Sequence, residues 1–292
     1  MTRRAVIRGT GRYLPERVVE NSWFEDKIET TDERIRARTG IERRHFAAEG
    51  ETTSQMATKA AQAALDRAGF AANDIDAIIV ATSTPDLTFP SVATMVQAGL
   101  GMTRGFAFDV QAVCAGFVFA LANADGLIRS GQAERVLVIG AETFSKLMDW
   151  EDRGTCVLFG DGAGAVVLEA ATGERGILST DLNSDGSYRD ILYVDGGVAT
   201  TGTAGKLRMQ GNILFRHAVE KLADTAHRAI DKAGLTAEQV DWLVPHQANA
   251  RIIAATAQRM HLPMEKVILT VADHGNTSAA SIPLALSVAD DA

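Results

Sequence analysis

Leu65-Asp66-Arg67-Ala68-Gly69-Phe70, followed after four residues by Ile75-Asp76-Ala77-Ile78-Ile79-Val80, has an echo later in the chain. There Ile230-Asp231-Lys232-Ala233-Gly234-Leu235 leads, after four residues, to Val240-Asp241-Trp242-Leu243-Val244. The paired aspartates, Asp66 with Asp231 and Asp76 with Asp241, are both 165 positions apart. Each copy reads as a helix end, a glycine stop, a short loop and the apolar run of a buried strand. A solenoid repeat would be far shorter. The echo therefore predicts a duplicated α/β unit, divided into residues 1–172 and 173–292 around Ala171-Thr172-Gly173-Glu174-Arg175-Gly176.

The flanking sequence extends this α/β alternation. Ser54 is the expected N-cap of a helix through Met56, Ala60, Ala64 and Leu65 to Gly69. Pro90 is placed in the first turn of a helix over Ser91 to Leu100. Phe106 to Val110 reads as a strand, a long helix starts near Cys114 and ends around Ser130-Gly131, and Arg135 to Ile139 is strand again. Val157 to Leu168, with Gly160, Gly162 and Gly164, reads as two strands around a glycine turn.

Composition excludes several classes. Of 292 residues, 46% are hydrophobic and 23% charged, an ordinary globular balance that needs no disulfide or metal to fold. The formal net charge of −8 argues against a nucleic-acid binder. Two cysteines, Cys114 and Cys156, make no disulfide framework. No apolar run is long enough to span a membrane, and the first residues lack a signal-peptide core, so the chain reads as cytoplasmic. No cluster of metal-ligand type is present. The glycines at 9, 11 and 160 to 164 form no nucleotide fingerprint, so no cofactor is expected. Against this acidic background, Arg34-Ile35-Arg36-Ala37-Arg38-Thr39-Gly40-Ile41-Glu42-Arg43-Arg44-His45 is a basic cluster suited to phosphates or to a solvated face.

Three segments carry candidate chemistry, each at a strand-to-helix junction, where α/β folds place ligands. Cys114 lies in Asp109-Val110-Gln111-Ala112-Val113-Cys114-Ala115-Gly116-Phe117. The start of the following helix is expected to favour its thiolate. His246 lies in Val244-Pro245-His246-Gln247-Ala248-Asn249, and Asn276 in His274-Gly275-Asn276-Thr277-Ser278-Ala279-Ala280-Ser281. Cys156 reads as a core residue, His274 as a neighbour of the site, and His45, His217, His227 and His261 as surface or packing residues. A Cys…His…Asn order also occurs in papain-like proteases, but Ala112-Val113-Cys114-Ala115-Gly116-Phe117 lacks their local signature.

These motifs, with Arg38-Thr39-Gly40-Ile41-Glu42-Arg43-Arg44 and Leu158-Phe159-Gly160-Asp161-Gly162-Ala163-Gly164-Ala165, run in order over nearly the whole chain. Together they resemble the ketoacyl-acyl-carrier-protein synthase III family of the thiolase superfamily. The resemblance implies a thiolase-like α/β fold, its two duplicated halves layered α-β-α-β-α, in a homodimer. It implies decarboxylative condensation of an acyl-CoA with malonyl-acyl carrier protein: Cys114 carries the acyl group, and His246 and Asn276 stabilise the enolate. It assigns Arg38 and Arg153 to the CoA nucleotide, and Asn212 and Asn249 to the pantetheine arm. Arg216, Arg251 and Arg259 fall to docking of the acidic carrier, and Phe89 to the partner subunit's limit on chain length.

The sequence departs from the family in two places. A tryptophan that stacks on adenine is replaced within Asp32-Glu33-Arg34-Ile35, where Arg34 is the candidate substitute. The family's closing strands and their Gly-Gly-Gly-Phe-like turn, which supplies one oxyanion-hole N–H, are expected beyond Ala292 and are missing from this sequence. Two other readings follow: a relative serving secondary metabolism, and an inactive module that binds acyl-CoA or carrier protein.

Overall fold

The computed structural model describes residues 2–292. In chain order its strands are β1 (Arg3–Tyr13), β2 (Arg17–Glu20), β3 (Arg43–Phe46), β4 (Ala77–Ala81), β5 (Phe106–Val110), β6 (Arg135–Thr143), β7 (Asp161–Thr172), β8 (Leu192–Val194) and β9 (Leu207–Met209). The α-helices are α1 (Ser22–Glu25), α2 (Asp32–Thr39), α3 (Thr53–Ala68), α4 (Val92–Gly99), α5 (Gly116–Arg129), α6 (Gly211–Lys232), α7 (Ala250–Arg259), α8 (Val271–His274) and α9 (Ser281–Asp291).

The main sheet runs β1-β7-β6-β4-β5, with β6, β4 and β5 parallel and β7 antiparallel to its neighbours. Every residue of β4 is buried, as expected of a strand covered on both faces. Ile78 and Val80 pack with Met56, Leu65, Val92 and Val96 of α3 and α4. Ala77, Ile79 and Ala81 face Phe117, Ala120, Ala124 and Ile128 of α5. Ile282 and Leu286 of α9 join that second face, so α5 and α9 form the middle layer of the molecule. Beyond them, the chain at Leu243 runs beside residues 266–268, joined by one bridge between Leu243 and Val267. There Leu243 and Val267 pack on Ile253 and Ala257 of α7, while Leu243 also meets Ala223 and Ile230 of α6. This layering is the thiolase-like α/β fold expected from the sequence.

The duplication extends further than the quoted echo. The 3-10 turns Ala72–Asp74 and Ala237–Gln239 are again 165 positions apart. So are the turns Val113–Ala115 and Ser278–Ala280, and the first residues of α5 and α9. Val113 and Ser278 even share an unusual backbone, with φ 48° and 51°.

Four local expectations are corrected. Thr52, not Ser54, caps α3, because Thr52 and Gln55 form a reciprocal capping box while Ser54 bonds to Asp86. Pro90 precedes the N-cap Ser91 instead of opening the helix. Residues 161–172 are one strand, with no glycine turn. Its Gly164 lies where α9 crosses the sheet: a Cβ there would stand 2.6 Å from the Leu284 nitrogen. Lastly, Val240 to Val244 makes one bridge rather than a full strand, since among the described residues only 266–268 flank it with backbone hydrogen bonds.

Gly140 of β6 is the tightest of these contacts. A Cβ at this position would come 2.1 Å from the Ala279 carbonyl oxygen, in the backbone of the turn Ser278–Ala280. Overpacking of this kind costs about 3 kcal/mol. Gly140→Ala should lower the urea midpoint accordingly or prevent folding; an unchanged midpoint would contradict the close approach.

Candidate active site

Cys114, His246 and Asn276 all line one cavity of about 1450 Å³. The three come from separate parts of the chain. Cys114 sits in the 3-10 turn that leads into α5, held beneath by β4: a Cβ on Gly116 would lie 3.0 Å from that of Ala81. His246 follows the Leu243 bridge. Asn276 is fixed by backbone bonds to the Leu158–Gly160 segment, its N–H donating to Leu158 O (2.9 Å) while its carbonyl accepts from Gly160 N (3.0 Å). That is one way in which Leu158-Phe159-Gly160 belongs to the site; Leu158 and Phe159 also line the cavity.

The orientation of each polar side chain follows from its partners. Asn276 Oδ1 accepts the Ser278 N–H at 2.9 Å, which leaves the amide nitrogen Nδ2 as a donor. Ser281 Oγ accepts the Gln247 N–H (3.1 Å) and lies 2.5 Å from His246 Nδ1. The serine hydroxyl has no other acceptor among the described residues, so its proton goes to Nδ1 and the imidazole carries its own on Nε2. Burial pushes His246 down to about 4, so it is neutral at physiological pH. The site therefore offers two neutral N–H donors.

The thiol contradicts one expectation. Burial pushes Cys114 up to about 11, the nearby Glu142 carboxyl adding to the rise and the Ser278 hydroxyl opposing it. Sγ stands 3.7 Å from Ser278 Oγ. Desolvation is the largest influence on this thiol and opposes the thiolate that the helix start favours, so attack calls for a base to take the proton.

Arg34, Arg38, Arg153, Asn212 and Asn249 line the same cavity. Arg153 also reaches the Glu29 carboxylate at 3.7 Å. The Asn249 amide is already engaged: Oδ1 caps α7 at Arg251 N (2.8 Å), and Nδ2 donates to Arg38 O (3.2 Å). Arg251 lines the cavity; Arg216 and Arg259 lie outside its lining, as does Phe89, which is 82% exposed. Cys156 is buried, as expected of a core residue. His217 is at the cavity wall, its ring tilted against that of Tyr188 with centroids 4.4 Å apart. Among the described residues no cluster of metal-ligand type occurs. The sequence reading missed Ser281, Ser278 and Glu142. The two serines stand within the quoted asparagine motif, and Val113 with Ser278 continues the 165-residue offset. Nothing near Glu142 in sequence marks it.

Comparison with known proteins places the chain beside one family. Residues 108–186 match the family described as 3-oxoacyl-[acyl-carrier-protein] synthase III, and residues 230–292 match its C-terminal counterpart. The β-ketoacyl-[acyl-carrier-protein] synthase III of Paracoccus denitrificans is 80% identical over 99% of this chain and 91% of its own length. The protein of the same name from Rhodobacter capsulatus is 76% identical over the same shares. Among solved structures, 3-oxoacyl-[acyl-carrier-protein] synthase III from Aquifex aeolicus superposes with TM-score 0.94 at 46% identity, covering 98% of this chain and 91% of that one. The priming β-ketosynthase of a polyketide pathway superposes with TM-score 0.91 at 34% identity, covering 99% and 88%.

The imidazole tautomer is directly measurable. Nitrogen-15 NMR of His246 should show the proton on Nε2 from pH 6 to 8, with that preference reduced in Ser281→Ala. A wild-type spectrum with the proton on Nδ1 would contradict the assignment.

Proposed function

The chain belongs to the 3-oxoacyl-[acyl-carrier-protein] synthase III family, and on that premise we propose a residue-level account of its reaction. The enzyme condenses an acyl-CoA primer with malonyl-acyl carrier protein and so initiates fatty-acid synthesis. The observation that carries the account is the convergence of one thiol and two oriented N–H donors on a single cavity.

Cys114 Sγ, once deprotonated, attacks the thioester carbonyl and takes the acyl group as CoA leaves. Malonyl-acyl carrier protein then occupies the cavity and loses carbon dioxide. Negative charge develops on its thioester oxygen, where His246 Nε2–H and Asn276 Nδ2–H can both donate. Neutral donors suit this step, because neither gives up its proton to the enolate. The carbanion attacks the Cys114 thioester, expels the sulfur and forms 3-ketoacyl-acyl carrier protein.

Arg38 and Arg153 are our candidates for the CoA phosphates, where guanidinium forks match phosphate geometry. Arg34 is the candidate for stacking on the base, and Asn212 and Asn249 stand along the arm's route. For Asn249 the engaged amide supports a role in holding the entrance backbone. Arg216, Arg251 and Arg259 give a basic approach for an acidic carrier on an otherwise acidic protein. We also propose a homodimer closed over β5. Among the described residues that strand is an edge of the sheet, its Phe106 is 41% exposed, and Leu87 (55%) and Phe89 (82%) are further exposed apolar side chains. Two halves meeting between Thr172 and Gly173, and a cytoplasmic setting in which Cys114 and Cys156 remain thiols, complete the reading. No helix of the described residues is long and apolar enough to cross a membrane.

Two variants separate the half-reactions. Intact-mass spectrometry after brief exposure to acetyl-CoA and longer acyl-CoAs should show an adduct mapping to Cys114, absent in Cys114→Ser. His246→Ala should retain that adduct while condensation slows about 10²–10³-fold. An adduct elsewhere, or equal loss of both steps in His246→Ala, would contradict the assigned roles.

A further inference from the structure

Glu142, at the end of β6, is a buried carboxyl that the reaction above does not use. It is 0% exposed. Its Oε2 accepts from Thr84 Oγ1 (2.6 Å), Ser83 N (3.0 Å) and Thr82 Oγ1 (3.2 Å). The two threonine directions are fixed: Thr84 Oγ1 accepts from Thr143 N (2.9 Å), and Thr82 Oγ1 accepts from Thr84 N (3.1 Å). Both hydroxyl protons are therefore free for Glu142. Its other oxygen, Oε1, is buried with no hydrogen-bond partner among the described residues. Glu142 lies two residues beyond Gly140 on the same face of β6, the face against which the turn Ser278–Ala280 packs, and Ser278 Oγ stands 3.7 Å from Cys114 Sγ.

A buried oxygen with no donor is costly unless something occupies it. The occupant that this geometry favours is a proton arriving from Ser278. We propose that Glu142 is a positioning residue that stores the Cys114 thiol proton, exchanged through the Ser278 hydroxyl, for the lifetime of the acyl-enzyme. This rests on the acyl-transfer reading above and adds the base that the thiol requires.

The step balances. In acylation, the thiol proton moves to Ser278 Oγ as the serine's own proton moves to the Glu142 carboxylate. Sγ then bonds to the acyl carbon, the carbon–sulfur bond to CoA breaks, and the CoA thiolate takes a proton from solvent. In condensation the new carbon–carbon bond expels Sγ as thiolate, and the proton returns from Glu142 through Ser278. One solvent proton is consumed per cycle and ends on CoA. Burial pushes the Glu142 carboxyl up to about 7, opposed by Thr84, Ser83, Ser278 and Thr82, so both of its forms are accessible near neutral pH. Glu142 and Cys114 are also coupled: the carboxylate raises the thiol, and protonating it removes that effect.

Other ionisable groups nearby do not supply this behaviour. The polar groups facing Glu142 from the 82–84 segment and the turn at Ser278 are hydroxyls and amides. The turn at Cys114 brings the thiol itself. Asp161 on β7 turns its carboxylate to Ala47 N, Ser145 N and Ser145 Oγ. His246, depressed to about 4, stays neutral through the relevant range.

The test is the rate of Cys114 acylation by acetyl-CoA, followed by rapid-quench mass spectrometry from pH 5.5 to 9. In the wild type the rate should rise through about pH 7, as the carboxylate forms. Glu142→Gln should lose that rise and acylate about 100-fold more slowly, with acyl-CoA affinity unchanged; Glu142→Asp should restore part of the rate and the rise. Ser278→Gly, which tolerates the positive φ while removing the hydroxyl, should behave like Glu142→Gln. A folded Glu142→Gln that keeps the rise, at any rate, overturns the proposal. If neither variant folds, time-resolved infrared on the wild type decides: a protonated carboxyl band growing in with the acyl-enzyme supports the store, and its absence overturns it. Wild type without any Cys114 adduct would instead refute the acyl-transfer reading itself.

Discussion

The meeting of two turns beneath the middle layer is the constraint on which the rest of this structure depends. Val113–Ala115 and Ser278–Ala280 lie one duplication apart, and each begins with a non-glycine residue at positive φ. Such backbones cost on the order of 1–3 kcal/mol apiece and persist only where their surroundings hold them. Gly140 and Gly116 leave the space in which they pack. Because both turns are pinned, Cys114 and Asn276 face one cavity although 162 residues separate them (276 − 114). The strain and the site thus have a common origin.

Duplication has been turned to unequal ends. The first copy of the turn places a thiol at Cys114; the second has Ala279 there and uses Ser278 and Asn276 as polar groups. His246 occupies the position matching Ala81, at the end of the β4 echo, and Ser281 matches Gly116. Identical local geometry therefore carries a nucleophile in one half and oriented donors in the other. Around both, the hydrogen bonds run from backbone N–H groups inward: Gln247 to Ser281 to His246, and Ser278 N to Asn276. A buried polar site stays ordered when each acceptor has its donor. Glu142 Oε1 departs from that rule.

Much of this was legible in the sequence because period and punctuation are local. The Asp66/Asp231 echo fixed the α/β duplication, and Gly69 and Gly234 both end their helices at positive φ. Cys114, His246 and Asn276 stood out because each falls at a strand-to-helix junction. What stayed hidden depends on contacts between distant residues. Gly162 and Gly164 look like a turn until α9 is laid across them. The Cys114 thiol looks activated by its helix until desolvation and Glu142 are counted. Val240 to Val244 has a strand's composition, yet its pairing is decided by its neighbours, not by its residues.

The account's central claim is that one acyl group passes from CoA to Cys114 and from there to the malonyl-derived carbanion. A pulse–chase tests it most directly. The protein is loaded with isotopically labelled acetyl-CoA, freed of CoA, and mixed with malonyl-acyl carrier protein while Cys114 and the carrier are followed by mass. The label should leave Cys114 at the rate at which labelled 3-ketoacyl-acyl carrier protein and carbon dioxide appear, one for one. Label that remains on Cys114 while product forms, or that departs as free acetate, would contradict it.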